Sequence, residues 1–228
     1  MRVVITGASR GIGREFARQF LARGETVEAA VRSPENARLQ ELASERGVLR
    51  LQSCDVASDQ NVRTFADSLE PGPVDLLINN AGIRKPESIG LDDLDLDDVA
   101  ETIQVNAIAA LRVTRALLAR IRESHIRKIV SISSGLGSIG DNTSGGGCAY
   151  RMSKAALNMA TRSMAVDLAR DRIICVVINP GWVKTDMGGP EAPLTVHESV
   201  SAMLRVIDAL KPEQSGTFLD CRGGTYPW

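Results

Sequence analysis

Seven short runs rich in Val, Ile and Leu limit the fold of this chain more than any other feature. They are RVVIT at 2–6, TVEAAV at 26–31, VLRLQSC at 48–54, VDLLIN at 74–79, KIVSIS at 128–133, IICVVIN at 173–179 and TFLD at 217–220. Most do not alternate polar with apolar residues, and Gly, Pro, Asn or Asp bound them, as expected of strands buried on both faces. Between them lie helical patterns: residues 13–24, with Phe16, Phe20 and Leu21 on one face, then 95–122, 148–169 and 195–210. Strands alternating with helices predict an α/β chain, a single-domain Rossmann-type doubly wound parallel sheet of about seven strands with helices on both faces. No long linker, internal repeat or low-complexity tract divides it, so residues 1–228 are expected to form a single domain. A chain of this length buries roughly 70% of its unfolded surface in one core.

Charge narrows the function. Lys and Arg number 27 against 28 Asp and Glu, a net charge of -1, so no field draws the chain to nucleic acid. Met1 runs straight into RVVITGAS without the charged, apolar and cleavage regions of a signal peptide, and no apolar run reaches the ~18 residues of a membrane span. A cytoplasmic protein with no membrane partner is expected. Cys54, Cys148, Cys175 and Cys221 show no C-x-x-C spacing, and His125 and His197 match no ligand pattern, so neither a disulfide framework nor a metal site is expected. Five aspartates in LDDLDLDD at 91–98 precede a helical pattern and read as a solvated helix entry.

Chemistry begins at the end of the first strand. TGASRGIGREF spaces Gly7, Gly11 and Gly13 ahead of a helix; glycines permit a tight turn, and the free N–H groups at a helix start can hold a pyrophosphate. After the second strand, an acid would suit the ribose 2′-hydroxyl of NAD(H) and a basic residue the 2′-phosphate of NADP(H). This chain has Val31 and Arg32 there, with Arg10 in the glycine loop as a second positive charge, so NADP(H) is preferred over NAD(H). In CAYRMSKAALN, Tyr150 and Lys154 stand four apart and share a helix face, where an ammonium favours the phenolate and equips Tyr150 as a general acid. Upstream, VSISSGLGS closes a strand with hydroxyls at Ser131, Ser133 and Ser134, and open α/β sheets gather ligands at the carboxyl ends of their strands.

Taken in order, TGASRGIG, DV at 55–56, NNAG at 79–82, VNAIAA at 105–110, SS at 133–134, YRMSK at 150–154 and NPGWVKTDM at 179–187 resemble the short-chain dehydrogenase/reductase family along essentially the whole chain. The resemblance implies that Tyr150 donates or accepts the proton, while Lys154 eases its ionisation and binds the nicotinamide ribose. It implies that Ser134 orients the substrate carbonyl, chosen over Ser133 because Ser134 precedes Gly137 in an S-x-x-G spacing. Asn106 is expected at a helix irregularity, holding a water in a proton relay. For the cofactor it implies Gly7, Ser9, Arg10, Gly11, Ile12 and Gly13 at the phosphates, with Arg32 at the 2′-position. Asp55 and Val56 are expected beside the adenine, Asn79, Ala81 and Gly82 on the ribose side, and Pro180, Gly181, Val183 and Thr185 along the nicotinamide.

The glycine-rich stretch between Ser134 and Tyr150 is longer than is common in the family; here and in NPGWVKTDMGG the chain is similar to its sniffer-type carbonyl reductases and bacterial C-factor-like members. The segment after Met187 is short, so an open pocket with loose selectivity for small carbonyl compounds is expected. Reversible NADPH-dependent reduction of aldehydes or ketones is the activity implied, in a homodimer or homotetramer. A cofactor-binding regulator or developmental signal with little turnover is the alternative, since fold alone does not fix function. Sugar-nucleotide epimerisation is disfavoured for want of a second substrate-binding portion.

Overall fold

The first apolar run becomes a central strand, β1 (Arg2–Thr6), and the sheet grows from it in both directions. The computed structural model describes residues 1–35, 37–44, 46–86 and 91–228. In chain order β1 leads to α1 (Gly11–Ala22), β2 (Thr26–Val31), the short α2 (Ala37–Gln40), β3 (Val48–Ser53), α3 (Asp59–Ser68) and β4 (Leu76–Asn79). The second half holds α4 (Leu96–Ile103), α5 (Ala109–Glu123), β5 (Lys128–Ile132), α6 (Cys148–Asp167), β6 (Ile174–Asn179), α7 (Val196–Ala209) and β7 (Phe218–Asp220). The seven strands are all parallel in the order β3-β2-β1-β4-β5-β6-β7. The chain therefore reverses its direction of travel between β1 and β4, and a crevice opens there at the carboxyl ends of the strands.

Alternate residues of each strand feed two cores. Val3, Ile5, Val27, Ile78, Val130 and Val176 pack with Phe16 and Phe20 of α1 and Met203 and Leu204 of α7. Val4, Leu77, Ile129 and Cys175 face the other way, against Phe65 of α3, Val113 and Leu117 of α5 and Met164 of α6. Since both faces are covered, the strands have no polar side to alternate with.

One strand residue breaks that apolar rule. Glu28 of β2 is fully buried beside Val4 of β1 and Arg50 of β3. Its Oε1 accepts from Arg2 Nε at 3.0 Å, Arg2 Nη2 at 2.7 Å and Arg50 Nη1 at 3.1 Å, and its Oε2 from Gln52 Nε2 at 3.3 Å. A carboxylate so paired is tolerated where a lone one would not be.

Two helical expectations are refined. The pattern at 95–122 is not one regular helix: α4 and α5 are joined by a π turn, Gln104–Ile108, with Asn106 buried at its centre. The pattern at 148–169 stops at Asp167, and Ala169–Asp171 tightens into a 3₁₀ turn ending on Arg172 in the left-handed region, φ 56°. The aspartate run does serve as a helix entry, Asp95 accepting from the backbone N–H of Asp97 at 2.8 Å and of Asp98 at 3.3 Å.

Candidate active site

The reversal point opens into a cleft of about 330 Å³. The glycine loop lines it with Gly7, Ser9, Arg10, Gly11, Ile12 and Gly13, and the ends of β2 and β3 add Arg32, Asp55 and Val56. Ala81 and Gly82 follow β4, Pro180 and Thr185 follow β6, and Tyr150 and Lys154 reach in from α6. Fifteen of the residues singled out from the sequence thus meet in one place.

The loop geometry fits a dinucleotide. Gly7 and Gly11 have φ of 67° and 52°, in the left-handed region that favours glycine. A Cβ on Gly13 would lie 2.4 Å from the Gly7 carbonyl oxygen and 2.5 Å from Asn80 Nδ2, so only glycine lets α1 start this close to the turn. Asn80 holds the turn from the other side, its Nδ2 donating to the carbonyls of Thr6 at 2.9 Å and Gly7 at 3.1 Å. The first turn of α1 has no acidic residue and no capping side chain, leaving its N–H groups for an anion. Arg32 is exposed at the end of β2. Arg10 reaches across the mouth to Asp186, 2.8 Å away.

At the other end of the cleft, α6 presents Tyr150 and Lys154, 8% and 4% exposed. Lys154 Nζ lies 5.6 Å from the centre of the Tyr150 ring and donates to the Ile132 carbonyl at 2.9 Å. Among the described residues no carboxylate pairs with it, and burial pulls its pKa down to about 8. Gly137 explains how α6 comes so near the end of β5, for a Cβ there would stand 2.7 Å from Lys154 Cβ.

The two candidate serines differ in their bonding. Ser133 is buried and donates to Asn158 Oδ1 at 2.7 Å, which engages its hydrogen. Ser134, half-buried, caps the turn Gly135–Gly137 by accepting from Leu136 N at 3.1 Å, so its hydrogen is available to a carbonyl oxygen. Ser133 rather than Ser134 lines the cleft itself. Four other singled-out residues sit behind the wall. Asn79 is buried and donates to Thr114 Oγ1 at 3.3 Å. Asn106 Oδ1 accepts from Ile83 N at 2.7 Å while its Nδ2 donates to Ile83 O and to Ser153 Oγ, both at 2.9 Å. Gly181, at φ 80°, turns the chain after β6, and Val183 is buried where it bridges to Leu194. That bridge closes the segment after β6 on itself, with Lys184 N donating to Leu194 O at 2.8 Å.

A family model described as short chain dehydrogenase matches residues 1–193. The chain belongs to the short-chain dehydrogenase/reductase family. It is an oxidoreductase of that family, built to take a nicotinamide cofactor. Among curated relatives it is similar to the C-signal of Myxococcus xanthus, 50% identical over 167 residues, 73% of this chain and 100% of that one. Its fold matches the carbonyl reductase Sniffer of D. melanogaster at a TM-score of 0.94 and 29% identity, covering 100% of this chain and 99% of that chain. It matches the NADPH-bound carbonyl reductase from chicken fatty liver at 0.93 and 37%, covering 100% and 98%.

Several residues of the cleft had no role in the sequence reading. Asn80, Asp186 and Met187 lie inside the quoted motifs NNAG and NPGWVKTDM, so the motifs carried them unnoticed. Glu101 and Arg84 gave no local signal. Glu101 lines the cleft and pairs with Lys85, while the Arg84 guanidinium lies 5.5 Å from the centre of the Tyr150 ring.

Proposed function

We propose that the chain is an NADPH-dependent carbonyl reductase, converting aldehydes or ketones to alcohols reversibly with Tyr150 as general acid and base. The observation that carries this reading is the pairing of Tyr150 with the buried Lys154 on one face of α6, at a cleft whose other end is a glycine cradle. A nicotinamide held in the cleft supplies the hydride. Tyr150 gives its proton to the carbonyl oxygen as charge develops there, and the Ser134 hydroxyl holds that oxygen. The Lys154 ammonium stabilises the phenolate left behind and is placed to bind the ribose. Asn106 fixes the Ile83 backbone beside this pair, consistent with a water relay ending at Lys154.

For the cofactor, Arg32 at the end of β2 and the lack of an acid there favour a 2′-phosphate, and the chicken carbonyl reductase with its bound NADPH supports that choice. Gly7, Ser9, Gly11, Ile12 and Gly13 would take the pyrophosphate, Asp55, Val56, Ala81 and Gly82 the adenosine, and Pro180 and Thr185 the nicotinamide. We assign Asn79, Gly181 and Val183 to shaping that wall. Residues 1–228 act as one cytoplasmic unit; among the described residues no helix is long and apolar enough to cross a membrane. A homodimer or homotetramer is supported by apolar residues left exposed on α5, α6 and the π turn, including Ile108, Leu111, Met159 and Val166.

The test is consumption of NADPH and of NADH by purified protein over a panel of neutral aldehydes, ketones and quinones, with Tyr150→Phe alongside. Turnover with NADPH that disappears in the variant is expected; near-normal turnover by Tyr150→Phe overturns the assignment. The likeness to C-signal favours a second reading, a cofactor-binding developmental signal with little turnover. Tight NADPH binding with no turnover anywhere in the panel would favour it.

A further inference from the structure

Two cations at the mouth of the cleft are paired with carboxylates. Arg10 pairs with Asp186, and Lys85 with Asp98 at 2.9 Å and with Glu101. Arg151, next to Tyr150, is held by the Gly146 carbonyl and Ser144 Oγ, both at 2.9 Å. Arg84 differs. It is exposed, two residues beyond Gly82 of the cleft wall, and its guanidinium lies 5.5 Å from the Tyr150 ring centre with no carboxylate partner among the described residues. A guanidinium over an aromatic face gains from the ring quadrupole yet keeps its planar fork of donors for another group. Here that fork stands within reach of whatever the phenol of Tyr150 engages.

The same edge of the sheet also carries exposed apolar surface. The loop after β5 leaves Ile139 77% exposed, and the loop after β6 leaves Trp182 57% and Met187 41% exposed. Met187 lines the cleft directly. A substrate whose carbonyl meets Tyr150 would therefore find a cation, Arg84, over the same ring and an apolar side chain, Met187, in the cleft.

We propose that Arg84 determines substrate specificity by binding a carboxylate close to the reacting carbonyl, so that the preferred substrates are oxo acids with an apolar body. This inference rests on the carbonyl-reductase reading and names the substrate class within it. Arg84 forms a charge-assisted, bidentate contact with the carboxylate, which fixes the carbonyl oxygen towards Tyr150. The carboxylate is unchanged in the reaction: one hydride reaches the carbonyl carbon, one proton reaches its oxygen, and NADPH leaves as NADP⁺. An α- or β-oxo acid has the two groups close enough to span the gap between Arg84 and the phenol, whereas a carboxylate at the end of a long chain does not.

The experiment compares benzoylformate with its methyl ester, which shares the carbonyl and the phenyl group but lacks the charge. The readout is the acid-to-ester ratio of kcat/KM in wild type, Arg84→Gln and Arg84→Lys, with NADPH in excess. Comparing the ratio between variants cancels the different intrinsic reactivity of acid and ester. Hydrogen bonds to a charged group predict a fall in the ratio of about tenfold or more in Arg84→Gln, mainly through KM, with partial retention in Arg84→Lys. An unchanged ratio in Arg84→Gln overturns the proposal, including the case in which acid and ester rates fall together. Failure of wild type to reduce benzoylformate while it reduces neutral carbonyls of the panel overturns the oxo-acid inference and leaves the carbonyl-reductase reading standing. Failure with every carbonyl overturns both.

Discussion

Glu28 and Lys154 are the two charged side chains, among the described residues, that the fold buries, and they are treated in opposite ways. Glu28 sits in the sheet with two arginines and a glutamine around it, each of its oxygens engaged. Lys154 has one carbonyl, no carboxylate among the described residues, and an open cleft in front of it. The first arrangement neutralises a charge and closes it off, which is what a structural ion pair requires. The second keeps a charge poorly solvated beside a phenol, so its electrostatic effect falls on that phenol rather than on a counter-ion. The difference teaches where to look for chemistry in this chain: at the buried charge whose compensation is incomplete.

That contrast can be broken by substitution. Lys154→Met should lower kcat/KM by about 10²–10⁴-fold, the range of general acid–base catalysis, with stability unchanged or raised because an apolar isostere replaces a desolvated charge. Steady-state kinetics beside a urea melt checks both halves. Glu28→Ala should do the reverse. It leaves Arg2 and Arg50 without their carboxylate and should cost about 3–5 kcal/mol in the urea melt, while the protein that stays folded keeps its specific activity. If both substitutions cost stability alone, or both cost activity alone, the two sites are not different in kind.

A smaller effect sharpens the lysine side. Its folded pKa of about 8 lies below the unfolded value of 10.5. Between those values the unfolded chain binds more protons, so this group makes the cofactor-free protein more stable as pH rises from about 8 towards 10.5. Below that window both states carry the charge and the burial penalty is felt in full. Urea melts at stepped pH should show this rising contribution in wild type and lack it in Lys154→Met. The smallest effect is at the far end of the cleft, where Arg32→Asp should shift preference from NADPH towards NADH by about tenfold, the scale of one exposed charge contact reversed in sign. Competition between the two cofactors measures it.

The strands were legible because burial on both faces leaves a signature that needs no partner: runs such as IICVVIN admit little else. Their ends were less so. β4 starts at Leu76 rather than Val74 because the Asp75 carboxylate accepts from Arg2 N at 2.7 Å and from Ser124 Oγ at 2.6 Å. The π turn at Asn106 escapes any reading of apolar spacing, since Ala107, Ala110 and Val113 keep a buried face across it. Only the family resemblance pointed to an irregularity there. The glycine loop, Tyr150 and Lys154 could be read because each rests on local spacing along one element. Glu28, Asn106 and Arg84 acquire their partners from distant parts of the chain, so TVEAAV and AGIRK carry no hint of what faces them.

The measurement that bears most directly on the central claim is a titration of the Lys154 amine itself. NMR of lysine-labelled, cofactor-free protein, with Lys154→Met to assign the signal, gives its midpoint. A midpoint near 8 is expected for a desolvated ammonium beside Tyr150 with no counter-ion among the described residues. A midpoint at or above the ordinary 10.5 would mean that the charge is hydrated or paired, and would contradict the account.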